Sequence, residues 1–387
     1  MSRRVAAAWS IAELQRLARA RLPRTVYDFY EGGAEDEQTL RANAAAFEQR
    51  KLVPRAFIDV GTVSTARPVL GVAAPLPLAI APMGAVAYGW RDGDILLARA
   101  AAAAGIPYTL STMAATSIER VAGEAGGRLW FQAHLLQPRE RTLALVDRAQ
   151  AAGYEALVIS ADLPVGGKRE RDLRNRLAMP FRPGWRHVLE FAARPAWTAG
   201  MLWHGTPQPA NVTAPAAPGS SIGGGFDPGF DWQALAELRA RWPRKLVIKG
   251  ILHPADAQRC VAAGVDAIVV SNHGGRQLDG CIASLDALPA IVRAVDGRAG
   301  VLLDGGIRRG RDILKALLSG ADAVLLGRAA LWGVCAGGQA GAARAIDLLR
   351  AELVTAMQLT GITRLDPLDA SGRLVPPPFT TSTSFQS

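Results

Sequence analysis

The chain has 387 residues, of which 49% are hydrophobic and 20% charged, so a sizeable core is expected and global disorder is excluded. Its net charge of +10 suits anionic substrates or an anionic membrane surface; no run of Lys/Arg interleaved with aromatics occurs, so nucleic acid is not expected as a partner. Cys260, Cys281 and Cys335 form no CxxC pair, and the apolar stretch after Arg3 and Arg4 is too short for a signal peptide, which together predict a cytoplasmic setting without structural zinc.

Residues 68–90 carry no charge and would span a bilayer on length alone, but Pro68, Pro75, Pro77 and Pro82 interrupt them, so a buried strand with irregular flanks is expected. From there the chain alternates apolar runs with helical patterns. The runs are Leu78–Met83, Tyr108–Thr112, Leu129–His134, Ala156–Asp162, Leu246–Gly250, Ala267–His273, Val301–Gly306 and Ala323–Arg328. Helical spacing fills Asp94–Ala104, Glu140–Ala152, Ala255–Ala263 and Arg311–Leu318, with Gly105, Gly153, Gly264 and Gly320 where a helix C-terminus would end. Eight such units predict an α/β fold: a (β/α)₈ TIM barrel, one domain over 1–387, with an N-terminal helical extension. No GxGxxG follows the first run, which disfavours an open dinucleotide-binding sheet.

A barrel of this kind places its active site at the C-terminal strand ends. Polar residues collect there: Ser111, Gln132, His134, Ser160, Asp162, Lys249, Ser271, His273, Asp304 and Arg328. In the segment Ser271–Gly280 (SNHGGRQLDG), His273 can exchange a proton near neutral pH and Arg276 offers a planar fork for a carboxylate. That pairing suggests chemistry on a small organic acid. Asp304–Gly310 (DGGIRRG) and Leu326–Arg328 (LGR) end the last two units, where backbone N–H groups, Arg308 and Arg328 suit a phosphate.

Residues 163–230 form an insertion after strand 4 that is too long for an ordinary loop. Its start, Gly166–Asp172, is charged, and its middle holds Trp185, Trp197 and Trp203 among Arg182, Arg186 and Arg194. Basic and aromatic residues together fit a membrane-contact segment, with a lid or a subunit contact as the alternatives.

SNHGGRQLD and Leu303–Leu317 (LDGGIRRGRDILKAL) make the chain resemble the FMN-dependent α-hydroxy acid dehydrogenase/oxidase family over nearly its whole length. Lys168–Arg176, His204–Asn211 and Trp242–Gly250 resemble most the mandelate dehydrogenases of that family, beside its lactate dehydrogenases. The resemblance implies FMN as cofactor and an L-2-hydroxy acid as substrate, with hydride passing to flavin N5. His273 would be the base and Asp162 the carboxylate that stabilises its imidazolium. Arg276 and Arg169 would hold the substrate carboxylate, and Lys249 would sit beside flavin N1. Ser111, Gln132 and Ser160 would contact the flavin ring, together with Ser271 and the Pro82-Met83-Gly84 backbone. Asp304, Gly306, Arg308, Gly327 and Arg328 would hold the ribityl phosphate. A homo-oligomer, a tetramer in this family, is implied as well, and no metal.

Two positions depart from the family pattern: Phe29 and His134 stand where substrate-facing tyrosines are usual. Phe29 and Met113 would make the pocket more apolar, suiting an aromatic or other bulky acid. Gly84 stands where the family's oxidases commonly carry alanine, which favours a dehydrogenase passing electrons to quinone or another acceptor at the inner face of the cell membrane. The competing expectations are an oxygen-using oxidase, a flavin-binding barrel with impaired catalysis, and a phosphate-binding barrel without flavin.

Overall fold

The computed structural model describes residues 2–176, 184–212 and 225–375. Eight parallel strands close into a barrel in chain order: β1 Leu78–Ile80, β2 Tyr108–Ser111, β3 Leu129–Ala133, β4 Ala156–Ser160, β5 Lys245–Ile251, β6 Ala267–Val270, β7 Gly300–Leu303 and β8 Ala323–Leu326. Each expected run overlaps one of them; β5 starts one residue earlier and ends one later than its run, and β7 starts one residue earlier. The strands stop two or three residues before most run ends, so the polar residues emerge from the sheet into the mouth. Inside the barrel the Trp130 ring packs among small residues, Ala79, Ala156, Ala267 and Ala323 with Val158, Val247 and Val269. One large ring among small and aliphatic side chains, Leu302 and Leu325 included, suits the narrow interior. The helices Gly93–Ala103, Arg139–Ala151, Pro254–Ala262 and Gly310–Leu318 match the helical patterns to within about one residue at each end.

Before the barrel, the helices Ile11–Arg21, Arg24–Glu31 and Gln38–Gln49 form the N-terminal extension. Ile11, Leu14 and Ala18, at helical spacing, bury one face of the first of these, which packs on the long C-terminal helix Arg328–Thr360. That long helix breaks at Gly337 and Gly338, whose backbone leaves helical geometry. Lys51–Leu52 pairs antiparallel with Leu374–Val375, a two-residue pairing too short to be read from periodicity.

The insertion folds back on the barrel mouth. Its helices Trp185–Ala192 and Pro195–His204 pack against each other, and Glu190 accepts from the Thr25 backbone N–H and hydroxyl. Trp197 corrects the expectation that all three tryptophans face outward: it is buried, donates from Nε1 to the Tyr88 carbonyl at 2.7 Å and packs on Phe191. Arg194 likewise turns inward, its Nε donating to the Leu22 carbonyl at 3.1 Å. Arg182 and the Arg186 side chain lie outside the described residues. Trp185 and Trp203 are 77% and 85% exposed.

One glycine decides the geometry of the mouth. Gly250 has φ +104° and sits where the pairing of β5 with β6 shifts register. A Cβ there would lie 2.5 Å from the Asp162 Cβ. The bulge therefore lets Lys249 and Asp162 approach, which no L-residue at 250 permits without strain. Gly250→Ala is expected to lower unfolding stability by about 1–3 kcal/mol, measured by urea denaturation; an unchanged midpoint contradicts this packing.

Candidate active site

The strand ends and adjoining loops enclose one cavity. Its wall includes every residue assigned above to substrate or cofactor except Ser271: Phe29, Pro82, Met83, Gly84, Ser111, Gln132, His134, Ser160, Arg169, Lys249, Arg276, Asp304, Gly306, Arg308, Gly327 and Arg328. His273 lines it too, while Asp162 and Ser271 lie one layer behind. Ser271 Oγ accepts from Lys249 Nζ at 2.8 Å and from the His273 backbone N–H at 3.0 Å, so it supports the wall instead of forming it.

His273, Gly274 and Gly275 are three consecutive residues with positive φ, at 57°, 64° and 74°. The two glycines take this conformation freely; His273 is held in it against its preference, as residues at functional sites often are. The turn points the imidazole across the mouth, where Nδ1 lies 3.1 Å from both Asp162 oxygens. Burial pushes the Asp162 carboxyl up, but the charges of His273 and Lys249 outweigh it and bring its pKa down to about 2. An ionised carboxylate only accepts, so Nδ1 carries the proton and Nε2 turns its lone pair to the cavity. Burial, assisted by Lys249 and opposed by Asp162, holds the His273 pKa below its usual value. His273 is thus a neutral base at neutral pH.

Lys249 is buried with Asp304 Oδ2 at 3.3 Å and Asp162 Oδ2 at 3.8 Å. Burial disfavours its charge, but the two carboxylates more than compensate and raise its pKa. Opposite lies a cluster of guanidinium groups. Arg276 Nη1 donates to the carbonyls of Phe29 (2.7 Å) and Gly32 (2.8 Å), leaving Nε and Nη2 without a partner among the described residues. Arg328 donates to the carbonyls of Tyr30, Gly32 and Gly274. All of these acceptors but Gly274 lie at the end of the helix Arg24–Glu31, whose C-terminal dipole favours cations. Arg276 and Arg169 lie over the Phe29 ring, 5.1 and 5.8 Å from its centroid.

Desolvation and mutual repulsion lower these arginines' pKa values; for Arg276 the repelling charges are Arg169 and Arg328, and for Arg328, brought to about 10, Arg308. Buried like charges of this density call for anions. Ser160 Oγ and Asp304 Oδ1 are buried on the cavity wall without a hydrogen-bond partner among the described residues, although buried polar atoms are normally satisfied. These orphaned atoms, with Lys249 and Arg308, fit a polar, phosphorylated cofactor along the β4–β8 side. Arg169 pairs through Nε with Asp172 at 3.3 Å; its terminal nitrogens and the Arg276 donors remain for a substrate carboxylate.

Several wall residues escaped the sequence. Tyr30 contributes its ring while its hydroxyl donates to the Ala85 carbonyl at 2.7 Å, so it does not replace the phenol absent at Phe29. Tyr27 is engaged elsewhere, accepting from Gln15. Phe226 returns from the insertion through a bridge to Leu136 and lies against His134, with ring centroids 5.1 Å apart. Leu163 completes an apolar flank beside Met113, which was expected there. Nothing local to Phe226 signals this role, because the contact is made across about ninety residues of chain.

The sequence model of the FMN-dependent dehydrogenase family matches residues 18–374. The chain is 45% identical to an L-lactate oxidase of Nostoc sp. over 372 residues, 94% of this chain and 97% of the relative. It is 41% identical to the (S)-mandelate dehydrogenase of Pseudomonas putida, covering 93% of each. A crystal structure of monotopic membrane protein (S)-mandelate dehydrogenase superposes with a TM-score of 0.90 at 40% identity, over 96% of this chain and all of that one.

Asp162 raises the His273 pKa, so removing its charge should lower it further. In a ¹H–¹⁵N histidine titration, His273 of the parent is expected to titrate below 6.5 and in Asp162→Asn lower still; an upward shift in the variant contradicts the assigned geometry.

Proposed function

The chain belongs to the FMN-dependent dehydrogenase family, and we propose that it oxidises an aromatic or other bulky L-2-hydroxy acid to the 2-oxo acid and passes the electrons to a membrane quinone. The observation that carries this reading is the neutral His273, backed by Asp162, sharing one cavity with the free donors of Arg276 and with Arg169. Ser111, Gln132, Ser160, Lys249, Asp304 and Arg308 would hold FMN, with Arg328 adding charge. When bound, FMN supplies the two-electron acceptor for the hydrogen on the substrate's Cα.

The protein's own residues do the rest. Arg276 is fixed by the Phe29 and Gly32 carbonyls and presents Nε and Nη2 to the substrate carboxylate. His273 Nε2 accepts the hydroxyl proton, and the resulting imidazolium is stabilised by Asp162. Lys249 would balance the negative charge that the bound cofactor gains on reduction. Phe29, Met83, Met113, Leu163 and Phe226 give the substrate side chain an apolar surround, which supports a bulky acid.

The insertion supports the proposed acceptor. Trp185, Val188, Leu189 and Ala192 fall at i, i+3, i+4 and i+7 and are all exposed, as are Ala199, Leu202 and Trp203 on the next helix. An apolar stripe turned outward on two adjacent helices supports docking at a lipid surface, near its quinone. Gly84 supports the same reading: a methyl there would stand 3.0 Å from the Met113 Cβ, so an alanine at that position would press on the apolar wall.

Anaerobic mixing with a panel of L-2-hydroxy acids should bleach the flavin absorbance. His273→Asn should retain FMN and lose about 10²–10⁴-fold in the reduction rate, while Arg276→Lys should chiefly raise the substrate concentration needed. Parental rates in either variant would contradict these roles. For docking, replacing Trp185, Leu189, Leu202 and Trp203 by Ser should abolish co-sedimentation with anionic liposomes while FMN content is unchanged. Equal sedimentation of both forms, or none by the parent, would assign the stripe to another contact.

A further inference from the structure

His134 lies at the end of β3, its ring lining the cavity and its Nε2 without a partner among the described residues. A chain of hydrogen bonds lies behind it. The Met113 backbone N–H donates to Ser111 Oγ at 3.2 Å. The Ser111 hydroxyl donates to Gln132 Oε1, 3.0 Å away. That orients the Gln132 carboxamide with its NH₂ toward His134 Nδ1 at 3.2 Å, a nitrogen that must then accept. A neutral imidazole that accepts at Nδ1 carries its single proton on Nε2.

We propose that His134 is a fixed Nε2–H donor to the substrate's 2-oxygen, and that His134 and His273 together read this oxygen as an alcohol. The inference rests on the proposed function for the substrate class. The two rings offer opposite partners: His273 Nε2 accepts, His134 Nε2 donates. Only a hydroxyl satisfies both at once, giving its proton to His273 and receiving a hydrogen bond from His134. An ether or a ketone has no proton to give. The arrangement also fixes the hydroxyl rotor, because the lone pair taken by His134 leaves the O–H pointing at the base.

Two further observations agree. The charges acting on His134 come from His273, Asp162 and Lys249, at the hydroxyl end of the site, not from the Arg276 and Arg169 clamp. Burial, then the charge of His273, brings its pKa down to about 3, so the donor stays neutral wherever His273 can act as base. A neutral donor steadies the oxygen while leaving its proton free to pass to His273. As the reaction completes, the proton resides on His273, the Cα hydrogen and its two electrons have gone to the flavin, and the product carbonyl accepts from both rings. The imidazole–phenyl contact with Phe226 holds the His134 plane.

The chain has five histidines, so ¹⁵N-histidine labelling of the FMN-loaded protein gives few signals, and His134→Gln assigns the one of interest. His134 should show protonated Nε2 and bare Nδ1 from pH 6 to 9; a proton on Nδ1 overturns the proposal. Gln132→Glu, whose carboxylate accepts only, should move the proton to Nδ1. In anaerobic reduction, His134→Phe should slow the limiting rate about 10- to 100-fold. His134→Gln, which places an amide N–H near the Nε2 position, should recover most of that loss, whereas His134→Asn, which is too short, should not. Full rate in His134→Phe with an active parent overturns the role of His134 alone. A parent whose flavin no 2-hydroxy acid reduces overturns the proposed function and this inference with it.

Discussion

A buried ammonium organises the mouth of this barrel. Lys249 is bonded to Ser271 and faces Asp304 and Asp162, so one cation draws together the ends of β4, β5, β6 and β7. Removing one partner of such a buried set typically costs about 3–5 kcal/mol, because the remaining charges are left without compensation. The geometry around it follows: Gly250 gives way so that Asp162 can approach, Asp162 faces His273, and His273 turns through a left-handed segment to reach the cavity. Lys249 also opposes protonation of His273, so the cation that closes the barrel mouth helps keep the base neutral.

The opposite side of the cavity is built differently. There the positive charges are anchored by backbone carbonyls at the end of an N-terminal helix instead of by carboxylates. Carbonyls orient a guanidinium without cancelling its charge, so the site keeps a net attraction for anions. Carboxylate compensation around Lys249 and carbonyl anchoring around Arg276 and Arg328 divide the cavity into a base end and an anion end.

Much of this was legible in the sequence because a barrel converts one-dimensional order into position. The apolar runs become strands, and the polar residues near the end of each run arrive at the mouth; Ser111, Gln132, Lys249 and Asp304 were found this way. Ser271 stands near the end of its run as well, yet it bonds to Lys249 behind the wall. What escaped came from outside the repeat. The carbonyls of Phe29, Tyr30 and Gly32 have no side-chain signature, and Phe226 reaches His134 only through the fold of the insertion. The tryptophans show a further reason. Trp197 and Trp203 share one short helix of mostly apolar residues, six positions apart and hence on different sides of it, and only packing decides which is buried.

The central claim is that the buried ammonium, acting with burial and against Asp162, helps keep His273 neutral. The most direct measurement is the pH dependence of the limiting rate of flavin reduction in Lys249→Met beside the parent, both loaded with FMN. Loss of the cation removes an opposing charge from His273, so the midpoint of the acid limb should move to higher pH. A midpoint that stays where the parent has it would show that Lys249 does not govern the base, and would contradict the account.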